Sequence, residues 1–164
     1  MESLYAPWRE TYVTNINAIK GCAFCHISKT NDNDEELGIL YKDEYCFVVM
    51  NKYPYAPGHF MIIPHNHVEN LEDLDSTIWL HMNKLAYSGV QLIKEVVNAQ
   101  GVNIGINLGQ AAGAGIAEHL HLHLVPRWSR DTNFMTSIAN NRVYSSDFNR
   151  IYKQMKEKSS KYFV

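Results

Sequence analysis

Residues 119 to 126 read His119-Leu120-His121-Leu122-His123-Leu124-Val125-Pro126, three histidines at every second position with an aliphatic residue after each. This period predicts a strand that sends the three imidazoles to one face and the aliphatic side chains to the other. Adjacent imidazoles repel one another when charged and need partners when buried, whereas the leucine face carries packing by itself. The run therefore reads as a reaction or metal site mounted on a sheet. Positions i, i+2 and i+4 spread over roughly 13 Å of strand, so at most two neighbouring histidines share one metal ion. A purely structural cluster would add nothing that the leucine face does not supply. Nucleophilic catalysis fits better. A neutral imidazole attacks phosphorus and forms a phosphoramidate, a second nucleophile cleaves it, and flanking groups orient the ring; the middle residue, His121, is the natural attacker.

A second group of chemistry-bearing residues is Cys22-Ala23-Phe24-Cys25. Two thiolates at this spacing form half of a tetrahedral zinc site, with the other two ligands to come from His26, His59, His65, His67 or the triad. Inert buried thiols and a redox dithiol are the competing readings. The redox reading is the weakest, because no obvious strand leads in and no convincing helix follows. Cys46 lies in an apolar run and reads as a small core residue. His81, inside a helical pattern and without a partner nearby in sequence, reads as an ordinary surface or boundary residue. The loop Gly109-Gln110-Ala111-Ala112-Gly113-Ala114-Gly115 allows close approach of backbone NH groups to phosphate oxygens, although taken without the triad downstream it reads sooner as an ordinary tight connection.

The elements that must position these groups are of mixed type. The polar stretch Lys29 to Glu36 reads as an exposed loop. Leu37 to Tyr41, Cys46 to Met50 and His59 to Ile63 read as short strands, divided by Lys42-Asp43-Glu44 and the turn-rich segment Asn51 to Gly58. From Asp75 or Ser76, either a good N-cap, apolar residues at helical spacing predict one long amphipathic helix to about Asn98. Val102 to Leu108 alternate with Asn103, Gly105 and Asn107 as a second clean strand, and a C-terminal helix is expected from about Ser146 to Lys158. The order implies an α+β fold, an antiparallel sheet with the long helix packed on one side.

Composition bounds the rest. A chain of 164 residues, 46% hydrophobic and 12% aromatic, supports one core and one domain, 1–164, with an N-terminal arm (1–20) and a helical tail (146–164). A net charge of −2 disfavours bulk nucleic-acid binding. No apolar run reaches signal-peptide or membrane-spanning length, and an odd cysteine count suits a reducing compartment, so a soluble cytoplasmic protein is expected.

His119 to Val125 resembles the alternating pattern of the histidine triad (HIT) family, and Asn51 to His67 is similar to that family's ribose- and zinc-binding region. Tyr5 to Arg9, Gly113 to Glu118, Pro126-Arg127-Trp128 and Asp131 to Phe134 resemble the bacterial branch related to diadenosine tetraphosphate phosphorylases. The resemblance implies that His121 takes a nucleoside monophosphate from a phosphoanhydride, that His123 contacts phosphate, that Asn107 contributes from the neighbouring strand and that Asn51 faces the ribose. It also implies structural zinc on Cys22, Cys25, His67 and His119, and a homodimer. The bland readings are a turn residue for Asn51 and a solvated strand position for Asn107. Many hydrolases and phosphoramidases of the family carry Gln and then Ser or Thr shortly before the triad, where this chain has Gly115 and Ile116. That leaves room for an acceptor other than water, and inorganic phosphate would make the reaction a phosphorolysis. The alternatives are an adenosine phosphoramidase and a zinc-stabilised nucleotide sensor that does not cleave its ligand.

Overall fold

A computed structural model describes residues 21–30, 34–129, 131 and 146–164. The elements run α1 (Ala23–Lys29), α2 (Asp34–Leu37), β1 (Ile39–Lys42), β2 (Cys46–Met50), β3 (Phe60–Pro64), α3 (Ser76–Val97), β4 (Gly101–Gly105), β5 (Leu122–Arg127) and α4 (Phe148–Tyr162). The strands form one antiparallel sheet in the order β1-β2-β3-β5-β4. This is the expected α+β arrangement of sheet, long helix and C-terminal helix.

Side-chain alternation gives the sheet two unlike faces. Leu40, Cys46, Val48, Met50, Phe60, Ile62, Leu122 and Leu124 point into the main core, against α3 and α4. Ile39, Phe47, Val49, Met61 and Ile63 form a smaller core on the other face, closed by Phe24 of α1. The register pairs Met61 with His123 and Gly105 with His123, so the histidines share this second face. Cys46 is fully buried in the main core, as expected of a small core residue.

Local chemistry explains the helix ends. The Asp75 carboxylate accepts from the Thr77 N–H at 2.7 Å and starts α3, while Asn98, with φ 50°, takes the left-handed conformation that ends it. The buried residues of α3, from Met82 to Ile93, make one apolar stripe. Gly89 lets that stripe close on the sheet: a Cβ there would stand 2.9 Å from Phe60 and 3.0 Å from Leu124. Asp147 caps α4 in the same way, through the Arg150 N–H at 3.2 Å. The helix then covers β1, whose Ile39 and Leu40 carbonyls accept from Tyr152, Lys156 and Ser159.

Several boundaries differ from expectation. Lys29 to Glu36 is not simply a loop: Cys22 is the N-cap of helix α1, which runs through Cys25 to Lys29, and α2 occupies Asp34–Leu37. The seven-residue α1 has no side-chain cap, so it carries no N-terminal signal in the sequence. The histidine strand begins only at Leu122, because the segment before it leaves the ladder: the Leu120 N–H donates to the Val68 carbonyl at 2.7 Å. β4 ends at Gly105, so Asn107 and Leu108 lie beyond it. The N-terminal arm and residues 132–134 of the resemblance lie outside the described residues.

Candidate active site and metal centre

His119 is the hinge between two clusters. Its Nε2–H donates to the Pro64 carbonyl at 2.9 Å, which leaves the Nδ1 lone pair pointing at the thiols. Nδ1 lies 3.3 Å from Cys22 Sγ and 3.6 Å from Cys25 Sγ, and Cys25 Sγ lies 3.2 Å from His67 Nδ1. All four donor atoms fall within 4.8 Å of one another. Sulfur and nitrogen ligands of a tetrahedral zinc ion stand about 3.6 Å apart, given the usual bond lengths. Two thiols and two imidazoles are also the donor set such an ion takes, so Cys22, Cys25, His67 and His119 are candidate metal-binding residues that fit it. Burial pushes the Cys22 thiol above its ordinary range, against the opposing pull of the Cys25 and Phe24 backbone N–H groups. A cation would reverse that preference by holding the thiolate. Burial likewise lowers the His119 pKa and favours its neutral, ligating form.

His121 uses its nitrogens the other way round. Its Nδ1–H donates to the His119 carbonyl at 2.8 Å, so Nε2 carries the free lone pair. The ring is 5% exposed and leans on Phe24, with centroids 5.1 Å apart. Burial lowers its pKa, which keeps the nucleophilic neutral form.

His123 completes the face, its ring 4.8 Å from that of His121 in an edge-on arrangement. Its protonation is fixed by a chain that starts on the backbone. The Tyr55 N–H donates to His59 Nδ1 at 3.1 Å, so His59 carries its proton on Nε2 and donates to His123 Nδ1 at 3.0 Å. The remaining proton of His123 therefore sits on Nε2. That atom is buried with no hydrogen-bond partner among the described residues. An unmet buried donor costs about 1–3 kcal/mol, which a phosphate oxygen of a ligand would offset. Burial, then the neighbouring histidines, lowers the pKa of His59 to about 3 and that of His123 to about 4.

The expected site residues thus divide. Cys22, Cys25, His67 and His119 come together, and so do His121 and His123. Asn51, at the end of β2, accepts the Tyr53 N–H at 2.9 Å as a turn residue does, and its side chain also reaches within 3.4 Å of His59. Asn107 is half-buried two residues beyond Gly105, the register partner of His123, and Gly115 is exposed in the loop before the triad. The spare His65 bonds Ser28 and the Asp43 carbonyl at 2.7 and 2.8 Å, while His26 is exposed. His81 has a partner after all: the Asp43 carboxylate, 38 residues earlier, accepts from its Nε2–H at 2.6 Å, a contact whose partners only the fold brings together. His59 was a metal candidate by residue type alone. Its place in the relay depends on the pairing of β3 with β5, and the sequence signal for it is a histidine, preceded by Pro57-Gly58, opening an apolar strand.

The chain is similar to several known proteins. An AP-4-A phosphorylase of Mycobacterium tuberculosis is 35% identical over 151 residues, covering 87% of this chain and 76% of that one. A bis(5'-adenosyl)-triphosphatase of Dictyostelium discoideum is 28% identical over 126 residues, covering 74% and 80%. Among solved structures, a zinc-bound histidine triad family protein from Mycobacterium smegmatis superposes with a TM-score of 0.70 at 26% identity, covering 86% of this chain and 94% of that one. The HIT domain matches residues 33–130, and this chain, with its alternating His119, His121 and His123, belongs to the HIT family.

Proposed function

We propose that this protein is a nucleotidyl-transferring enzyme that cleaves a dinucleoside polyphosphate, such as diadenosine tetraphosphate, through a nucleotidyl-His121 intermediate. One observation carries the reading: His121 aims a bare Nε2 lone pair, and the neighbouring His123 aims a buried Nε2–H with no partner among the described residues. A nucleophile and an unmet donor side by side are what a transferring phosphoryl group requires.

In the first step the His121 Nε2 lone pair forms a bond to an α-phosphorus, and the bond from that phosphorus to the bridging oxygen breaks. Its electrons leave with the polyphosphate, which needs little protonation. The ring gains positive charge, and its Nδ1–H bond to the His119 carbonyl strengthens accordingly. His123 donates to a phosphate oxygen as charge gathers there. In the second step an oxygen of inorganic phosphate or water attacks the same phosphorus and the P–N bond breaks. Phosphate then gives ADP beside the ATP already released, whereas water gives AMP and a proton. Asn51, Asn107 and Gly115 are proposed to contact the nucleotide.

The four metal-binding candidates are proposed to hold zinc. When bound, the ion would supply a structural cross-link that ties α1 to the segment carrying the triad. A homodimer through the open edge of the sheet is supported by β4, which pairs only with β5 among the described strands, and by the exposed Ile104 and Leu108. No helix among the described residues is long and apolar enough to cross a membrane. We place the protein in the cytoplasm, a reading supported by three free cysteines. Product analysis of diadenosine tetraphosphate, with and without phosphate, tests the reaction. ADP with ATP, dependent on phosphate, is the expected result; phosphate-independent AMP with ATP would make it a hydrolase, and no turnover would move the adenosine phosphoramidase and nucleotide sensor readings ahead.

A further inference from the structure

The turn between β2 and β3 carries a tyrosine whose position exceeds what a turn needs. Tyr55 is 52% exposed, yet its ring stacks on His59 with centroids 4.9 Å apart and planes at 30°. The same ring lies 5.9 Å from His123 at 35°. Beneath it, His59 is fully buried and His123 is 8% exposed. The backbone N–H of this residue is also the donor that starts the proton chain.

We infer that Tyr55 is a positioning residue for the His59–His123 pair: its ring roofs the pair against water while its amide fixes the direction of the proton. This rests on the proposed role of His123 as a phosphate donor. The His59 Nε2–H bond to His123 Nδ1 survives only if water does not compete for either atom. On the inner side the pair is closed by protein: Met61 stands opposite His123 in β3, and Asn51 lies against His59. Among the described residues, the titratable side chains that face the pair are Tyr55 and His121, besides the two histidines facing each other. With no carboxylate among those groups, the pair remains neutral first through exclusion of water and then through repulsion among the neighbouring histidines. Tyr55 closes the solvent side.

Tyr55→Ala tests this, because it keeps the amide and removes only the roof. Nitrogen NMR of the zinc-loaded protein reads the histidine tautomers without any substrate. The wild type should show His123 as a single form with its proton on Nε2. In Tyr55→Ala this should become a mixture, and the titration midpoint of His123 should move up toward the ordinary value of about 6.5. The kcat for diadenosine tetraphosphate should fall about tenfold with KM little changed, as for an interaction that matters mainly in the transition state. Tyr55→Phe should restore the single tautomer. Should the alanine variant fold poorly, Tyr55→Leu, which lacks the flat ring, is read in the same way. A single unchanged tautomer with an unchanged midpoint would overturn the inference, and so would a phenylalanine variant as mixed as the alanine one. If the tautomers respond as expected but wild-type protein turns over no dinucleoside polyphosphate, the roof stands and the proposed reaction falls.

Discussion

His119 and His121 stand two residues apart on the same side of the sheet, and each gives one ring nitrogen to a backbone carbonyl. His119 donates from Nε2 to Pro64 and presents Nδ1 to two thiols; His121 donates from Nδ1 to His119 and presents Nε2 to the reaction face. Side-chain chemistry is identical in the two cases, so the difference comes from which carbonyl lies within reach. Alternating histidines leading into a strand can therefore hold a metal ligand and a nucleophile together, because the backbone selects a tautomer for each ring. The same carbonyl couples the two clusters, since the oxygen that orients His121 belongs to the proposed zinc ligand.

The sharpest way to break this comparison is to remove the nucleophile alone. His121→Ala should lose turnover by about 10³-fold or more, while nucleotide binding and zinc content remain close to wild type. Equilibrium binding beside single-turnover kinetics checks it, and wild-type turnover in the variant would refute the nucleotidyl-histidine step. Removing the donor is expected to cost less. His123→Ala should lower kcat by roughly 10²–10³-fold, the usual effect of deleting one donor aimed at developing charge. A KM effect with unchanged kcat would show instead that His123 serves substrate binding only.

On the metal side, His67→Ala should act first on zinc content and stability and only then on rate. Each kcal/mol lost lowers Tm by roughly 2–4 °C in a domain of this size. Metal analysis together with thermal melting measures both, and unchanged zinc would remove His67 as a ligand. The rate should drop less than in His121→Ala, because the His119 carbonyl still accepts from His121. An equal loss in the two variants would mean that zinc holds the nucleophile in place more tightly than the backbone does.

What the sequence made legible follows the range of the interactions. The strand Cys46–Met50 and the span of α3 with its Asp75 cap are local patterns, and each is found close to where it was expected, whereas the histidine strand starts only at Leu122 because a contact with Val68 draws the preceding residues out of the ladder. The four metal-binding candidates came from family resemblance, because spacing alone left five sources for the last two ligands. Illegible were the contacts made by chain segments far apart. His59 meets His123 across 64 residues, and His81 meets Asp43 across 38. Helix α1 was missed for a different reason: it is short, and Cys22 leaves its first N–H groups without a side-chain cap.

The smallest expected effect is the acid sensitivity of the buried pair. Free histidine titrates near 6.5, whereas burial holds His59 near 3 and His123 near 4. As pH falls below about 6.5 the unfolded chain binds protons that the folded chain refuses, so stability is full above that value and declines toward pH 4. Each such histidine contributes a slope of at most about 1.4 kcal/mol per pH unit. His59→Gln removes one of them, and the stability of the variant should fall less steeply than that of wild type between pH 6 and 4.5. Denaturant titrations at several pH values compare the two slopes. Equal slopes would mean that His59 is no more reluctant to protonate in the fold than outside it. The reactive half would then owe its neutral imidazoles to something other than burial, leaving the contrast with the metal half to rest on the carbonyls alone.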